Sequence, residues 1–188
     1  HTRFKCDWSS DVCSSDLAGV VTGEATLDGT SAILDAYVKV VLAEAAAWHA
    51  PYLDTRADRY RPNVHARLLA GRDVPAVAYL EARAACDAYR RAVDTLFDQG
   101  FDALALPTLP ITAPVLGVPD IAIDGATVPV RTAMLRNTQL FNMTGHPALT
   151  LPMPMPRGVL PAGLQLVGRV GDTAGLLAMA AACEKIVS

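Results

Sequence analysis

Few residues in this chain are of the types that attack carbonyls or move protons. Of six serines, four fall in residues 9–15 and the others are Ser31 and Ser188. Ser31 opens an apolar helical run, where a hydroxyl caps the first turn, and Ser188 is terminal. A serine nucleophile needs a base within hydrogen-bond reach or a strained GxSxG elbow, and the sequence offers no such pattern. Cys86 and Cys183 sit in helical stretches and belong to no CxxC, so they read as reduced, packed thiols. His49, His65 and His146 lack HExxH or other metal-ligand spacing. His49 and His65 read as helix-end or surface residues. His146, in an uncharged loop rich in Gly and Pro, reads as a structural or rim residue. Lys39, within AYVKVV, fits a snorkelling surface lysine. The carboxylates fall on helix exteriors without pairing, and Gly168 and Gly171 form no GxxxxGK phosphate loop. The sequence therefore assigns no catalytic residue, no metal ligand and no cofactor.

The elements that would position a site are more legible. The chain has 188 residues, 52% hydrophobic and 19% charged, with a net charge of −3. This excludes a disordered or strongly basic chain, and no nucleic-acid partner is expected. The uncharged stretches Ala103–Pro119 and Asn137–Pro156 each carry four prolines. That density argues against a membrane span and for buried strands and loops. Reduced thiols without a membrane segment predict a cytoplasmic protein.

Periodicity predicts helices over Ser31–Trp48, Pro62–Leu69, Pro75–Asp98, Arg131–Phe141 and Thr173–Ile186. His49-Ala50-Pro51 is expected to end the first, Gly71 the second and Gly100 the third. Apolar faces are expected at Ile33, Tyr37, Val40, Val41 and Trp48; along Val77, Leu80, Ala84, Ala88, Ala92, Val93, Leu96 and Phe97; and at Leu176, Leu177, Ala180 and Cys183. Short buried strands are expected at Phe101–Leu106, Ala148–Leu151 and Gly163–Val167. Ile121–Ile123 and Thr127–Val130 flank an Asp124-Gly125 hairpin turn. Helix, glycine and buried strand in succession indicate an α/β layer. Ten of the thirteen prolines lie between Pro107 and Pro161, and long proline-rich connections in such a domain are commonly those that shape a site.

Residues 1–17, HTRFKCDWSSDVCSSDL, follow none of these periods. Asp7–Leu17 can be back-translated into the end of a common short-read sequencing adapter, and His1-Thr2-Arg3 fits its upstream part. This segment is expected to be adapter-derived and disordered, and is set aside from the fold. Removing Arg3, Lys5, Asp7, Asp11 and Asp16 takes the net charge from −3 to −2.

Residues 18–188 resemble the second half of the amidase signature family of serine hydrolases. The resemblance is carried by FDALALPTLPITAPVLG (Phe101–Gly117), TQLFNMTGHPALTLPMP (Thr138–Pro154) and LPAGLQLVGRVGDTAGLLAMA (Leu160–Ala180). AGVVTGEATL (Ala18–Leu27), EAAAWHAPYL (Glu44–Leu53) and AYLEAR (Ala78–Arg83) also match. Two positions depart from the pattern: an acidic residue usual near Thr173 is absent, and His146 stands where the family varies. The resemblance implies the C-terminal part of an α/β/α fold, a mixed central sheet flanked by helices. It implies hydrolysis of an amide to a carboxylate and ammonia or an amine. The family uses a serine nucleophile, a second serine with a cis peptide bond, and a lysine held neutral so that it accepts protons through that serine. These residues belong to the family's first half, so none is carried over, and the chain is expected to be inactive alone and to need the N-terminal half of the same protein. The resemblance places Phe141, Asn142, Thr144 and Gly145 near the reacting centre, Thr108 at the cleft border and Gln165 in an adjoining strand, as a substrate-binding set. Each also reads as scaffold. The expected partner is a small-molecule amide, with a homo-oligomer possible. Two rivals are the A-type component of an aminoacyl-tRNA amidotransferase, working with partner subunits, and a non-enzymatic α/β binding module.

Overall fold

The computed structural model describes residues 2–5, 20–123 and 125–187. Most of the segment expected to be adapter-derived, including Asp7–Leu17, lies outside the described residues, as do Asp124 and Ser188. The chain divides into two units, residues 29–91 and residues 1–28 with 92–188.

The first unit is helical. Helix α1 (Thr30–Leu53) runs past the predicted stop, with Pro51 inside its last turn. A proline there forfeits one backbone hydrogen bond and clashes only with a carbonyl one turn back, so the helix continues through it and ends at Asp54. Its buried residues are Ile33, Ala36, Val40, Ala46 and Leu53, while Trp48 is 72% exposed and Val41 is also exposed. The expected face is therefore wrong at its C-terminal end. There Ala46 and Leu53, not Trp48, are buried. The cause is Gly71. Helix α2 (Pro62–Arg72) contains this glycine instead of stopping at it. A Cβ at Gly71 would stand 2.1 Å from the Leu42 carbonyl oxygen and 2.8 Å from Ala46 Cβ. The glycine thus permits close backbone approach of α1 and α2 and is not a cap. Arg72 pairs with Asp54 through two hydrogen bonds of 3.0 and 3.1 Å, and its guanidinium holds the Asp54 carboxyl below the ordinary carboxylate value.

Helix α3 (Ala76–Asp98) starts after Pro75 as expected. Its buried residues are Ala82, Cys86, Tyr89, Val93, Leu96 and Phe97, whereas Val77 and Leu80 are 67% and 64% exposed. The true stripe, at spacings of three and four, is rotated from the predicted one, because Cys86 and Tyr89 carry it. The Tyr89 hydroxyl has no hydrogen-bond partner among the described residues, and burial pushes its pKa up to about 12. Gly100 then closes the helix in the left-handed region, φ 98°, with its N–H donating to the Phe97 carbonyl.

The second unit is built on a five-stranded mixed sheet in the order β2-β1-β3-β7-β6. Strand β1 is Thr2–Lys5, β2 Val20–Gly23, β3 Ala103–Pro107, β6 Ala148–Pro152 and β7 Gly163–Val167. Thr2–Lys5, where no regular structure is expected from sequence, pairs in parallel with β2 and β3. Strand β7 is antiparallel to both β3 and β6. β4 (Asp120–Ile123) and β5 (Ala126–Pro129) form the separate expected hairpin, with Gly125 at φ 79°. Helix α4 (Val130–Thr144) extends three residues beyond the expected Phe141, so the uncharged stretch from Asn137 begins as helix, not as strand or loop.

Helix α5 (Thr173–Val187) follows the prediction, with Asp172 Oδ1 accepting the Gly175 N–H at 2.9 Å. Its Leu176, Ala180 and Cys183 pack on Ala103, Ala105, Leu151 and Leu166 of the sheet, while Leu177 is 58% exposed. Among the described residues, no helix is long and apolar enough to cross a membrane.

Candidate functional site

Strand alternation sends the two faces of β3, β7 and β6 to different tasks. Ala105, Leu166 and Leu149 share a row of the register and face α5; Leu106, Gln165 and Thr150 make the next row, on the opposite face. At the end of that second face, Thr108 donates its hydroxyl to Thr150 Oγ1 at 3.1 Å and its backbone N–H to the Gly163 carbonyl at 2.8 Å. Gly163 is the space-maker. A Cβ there would lie 2.7 Å from Thr150 Cγ2 and 2.9 Å from Thr108 Oγ1.

These residues open onto a cavity of about 610 Å³, walled also by the proline-rich segment 109–113 after β3 and by Met134 of α4. Among the described residues its lining includes no ionisable side chain, and its polar groups are threonine hydroxyls and backbone. Asn137 ties α4 to the rim, donating Nδ2–H to the Pro107 carbonyl at 2.8 Å. Gln165 is 4% exposed, and its Nε2 has no hydrogen-bond partner among the described residues. A second open cavity, of about 800 Å³, lies in the helical unit between Trp48, Tyr52, Arg56 and Tyr60, and holds none of the expected residues.

The remaining expected residues gather at the C-terminal end of α4. Gly145 caps it at φ 74°, its N–H donating to the Phe141 carbonyl at 3.0 Å. A left-handed residue is needed there, and glycine supplies it without strain. Phe141 and Thr144 are 2% and 1% exposed, and Thr144 also donates its hydroxyl to the Phe141 carbonyl, at 3.3 Å. Asn142 is exposed. The six expected residues thus fall into two groups, Thr108 with Gln165 on one sheet face, and Phe141, Asn142, Thr144 and Gly145 around a helix cap. Sequence reasoning missed Thr150 and Asn137. Thr150 is the only polar residue within ALTLP, which was a usable signal; Asn137 in a helix was not.

His146 follows the cap, with a fully buried side chain. Its Nδ1 lies 2.9 Å from Thr144 Oγ1 and its Nε2 3.2 Å from Asp94 Oδ1, and the ring stacks on Phe97. The side chain is thus buried within the fold and not at a rim. The nucleophile census is also clear in three dimensions. Ser31, Lys39 and Lys185 are exposed, and burial pushes the thiols of Cys86 and Cys183 above their ordinary values. Among the described residues no cluster of His, Cys, Asp and Glu could hold a metal ion.

The mixed sheet and its uncharged cleft define an α/β scaffold able to hold a neutral, hydrogen-bonding ligand, and comparison with known proteins makes the class definite. Residues 11–177 match the Amidase family, so the chain belongs to that family, the amidase signature hydrolases. It is 39% identical over 110 residues to an uncharacterised protein of the nthA 5′ region from Rhodococcus erythropolis, covering 58% of this chain and 53% of the relative. It is 30% identical over 145 residues to a 2-amino-5-chloromuconic acid deaminase from Comamonas testosteroni, covering 77% and 31%. It is 30% identical over 209 positions to the A-type component of the glutamyl-tRNA(Gln) amidotransferase of Roseobacter denitrificans, covering 96% and 41%. A crystal structure of an amidase superposes with a TM-score of 0.81 at 30% identity, covering 90% of this chain and 38% of its own. The chain therefore spans about a third to a half of the length of these four proteins.

Proposed function

We propose that this chain is the C-terminal portion of an amide hydrolase and contributes one wall of its substrate pocket. The observation that carries the reading is the uncharged cavity at the end of β3, held open by Gly163 and lined by the Thr108–Thr150 hydroxyl pair. Thr108 gives its hydroxyl hydrogen to Thr150, so Thr150 keeps its own hydrogen to offer a substrate carbonyl, and Thr108 keeps a lone pair for an amide N–H. Such a pair orients an amide without supplying charge. The nucleophilic serine, the bridging serine and the neutral lysine come from the part of the protein preceding residue 18. There the serine oxygen attacks the amide carbon, the lysine takes its proton through the bridging serine, and backbone N–H groups hold the oxyanion; the C–N bond then breaks and that proton goes to the departing ammonia or amine, leaving an acyl-serine ester. Water hydrolyses the ester, giving its hydroxyl to the acyl carbon and a hydrogen back to the serine, and the carboxylate leaves. The substrate is a small-molecule amide, and catalysis needs no cofactor from this chain.

The test is an ammonia-release assay on simple amides with residues 18–188 alone and with the chain extended by its own upstream coding sequence. Activity is expected only in the extended protein, and that upstream sequence is expected to encode a Gly/Ser-rich loop preceded by a lysine. Ammonia release by residues 18–188 alone, or an upstream sequence without those residues, overturns the reading. The match to an amidotransferase component over 96% of the chain supports a second form of the same chemistry, in which the released ammonia passes to a partner protein. A neighbouring gene for that partner distinguishes it.

A further inference from the structure

The cavity of the helical unit is used by nothing in the amide chemistry. Its walls come from residues 48–60, inside one compact unit. The C-terminal turns of α1 supply Trp48, His49 and Tyr52, and a 3-10 turn at Ala57–Arg59 leads to Tyr60. The aromatic rings are held by one another. His49 Nδ1 lies 2.9 Å from the Tyr60 hydroxyl, and these two rings meet edge to face at 5.5 Å. The His65 ring also packs on Tyr60, at 5.9 Å. Trp48 meets His49 edge to face at 4.9 Å, yet it is 72% exposed, and Tyr52 is 40% exposed. Rings already held in place lose little freedom when a ligand lands on them.

The charge on these walls is unbalanced. Arg59 lies 3.7 Å from Asp58, so those two offset each other. Arg56 has no carboxylate partner among the described residues. Its guanidinium lies over the Tyr52 ring, 5.2 Å from the centroid. Its backbone N–H donates to the Tyr52 carbonyl at 2.9 Å, which fixes the turn that carries it. A cage built for a quaternary ammonium would exclude such a cation from its rings. A guanidinium instead presents a planar fork of N–H donors that matches a carboxylate. An open indole face takes a second ring by offset stacking. The cavity, of about 800 Å³, falls within the range of small-molecule sites, about 300–1,000 Å³. We infer that this cavity binds a small aromatic carboxylate, with the ring against Trp48 and the carboxylate on Arg56. Binding there needs no amide chemistry.

The experiment is a titration of the full chain with sodium benzoate, followed by nitrogen-15 NMR at the Trp48 indole N–H and the backbone amides of His49, Tyr52 and Arg56. Trp8→Phe, made in the same chain, identifies which indole peak belongs to Trp48. A saturable shift is expected, with half-saturation at about 1 mM or below. Benzyl alcohol, which lacks the carboxylate, and benzyltrimethylammonium, which reverses the charge, are each expected to bind about tenfold more weakly or worse. Arg56→Gln is expected to weaken benzoate by about tenfold, Trp48→Ala to abolish the saturable shift, and Arg59→Gln, which removes the paired cation, to weaken it less. Trp48 and Arg56 are exposed, so these replacements leave the core intact, and unchanged amide peaks elsewhere in the chain verify that. No saturable benzoate shift, equal binding of the neutral or cationic probe, unaltered affinity in Arg56→Gln or Trp48→Ala, or an equal loss in Arg59→Gln each overturns the site. So does loss of benzoate binding in the chain extended by its own upstream coding sequence, since the rest of the protein then fills the cavity. Ammonia release plays no part in the measurement, so failure of the hydrolase assay and failure of benzoate to bind are separate results.

Discussion

The two faces of β7 are written in alternate letters of one five-residue strand, GLQLV. Leu164 and Leu166 face α5 among Ala105, Leu149, Leu151 and Leu176. Gly163, Gln165 and Val167 face the other way; Val167 is fully buried opposite Leu104, and the Gly163 end lies beside Thr108 and Thr150. The first face is apolar throughout and packs under α5. The second is packed at its Val167 end and gives up packing at its Gly163 end, which borders the cavity. A strand that served only stability would not leave the Gln165 amide nitrogen without a partner among the described residues, since an unsatisfied buried donor costs about 1–3 kcal/mol. The difference separates the face that packs under α5 from the end that borders the cavity.

The largest expected break in that contrast is Leu166→Ala. Leu166 is 0% exposed, and losing its side chain leaves a cavity against α5, for a loss of about 2–5 kcal/mol. Denaturant unfolding of the chain measures it, and a change indistinguishable from zero defeats the assignment of this face to the core. Gly163→Ala, on the opposite face, is expected to cost less, about 1–3 kcal/mol, because the new methyl meets Thr150 Cγ2 and Thr108 Oγ1 inside contact distance. The double variant with Thr150→Ser, which deletes the nearer methyl, should recover most of that loss; no recovery shows that the strain lies elsewhere. Smaller again is Gln165→Leu. Replacing an unpaired amide by an apolar group of similar size is expected to leave stability unchanged or raise it by about 1 kcal/mol, while weakening amide turnover in the extended protein through KM. A loss of stability would instead show that Gln165 is part of the core.

Much of this architecture was legible because strands and caps announce themselves locally. FDALAL, ALTL and GLQLV are short apolar runs bounded by Gly or Pro, and Asp172 and Gly100 are helix boundaries whose chemistry depends on near neighbours only. The helix faces were less legible. In α1 and α3 alanine is so frequent that any stripe looks apolar, and the true one was chosen by partners distant in sequence, such as Leu42 meeting Gly71. The candidate site divided in the same way. Thr108 and Gln165 could be picked out from a motif, but the Thr108–Thr150 bond, the Asn137–Pro107 tie and the Asp94–His146 pair join positions 42, 30 and 52 residues apart. No local pattern encodes such pairs. They are consequences of register and of where a helix ends.

The last way to sharpen the contrast between the faces is pH. The second face carries Thr and Gln, which do not titrate, whereas the first includes Cys183, 2% exposed on α5. Burial raises the Cys183 thiol above its ordinary value of 9.0. A group whose folded pKa lies above its unfolded one binds its proton more tightly in the folded state. Its contribution is complete below the unfolded value and is lost as pH rises through the folded one. Stability should therefore be flat in this respect up to about pH 9 and then decline, and Cys183→Ala should make the decline shallower. Cys86 and Tyr89 titrate in the same direction on α3, with Tyr89 extending the loss towards about 12, so the test is the difference between Cys183→Ala and the parent chain across that range. An identical alkaline slope in both means that the thiol is as free to ionise in the folded state as in the unfolded one, which the packing of α5 on Leu166 forbids.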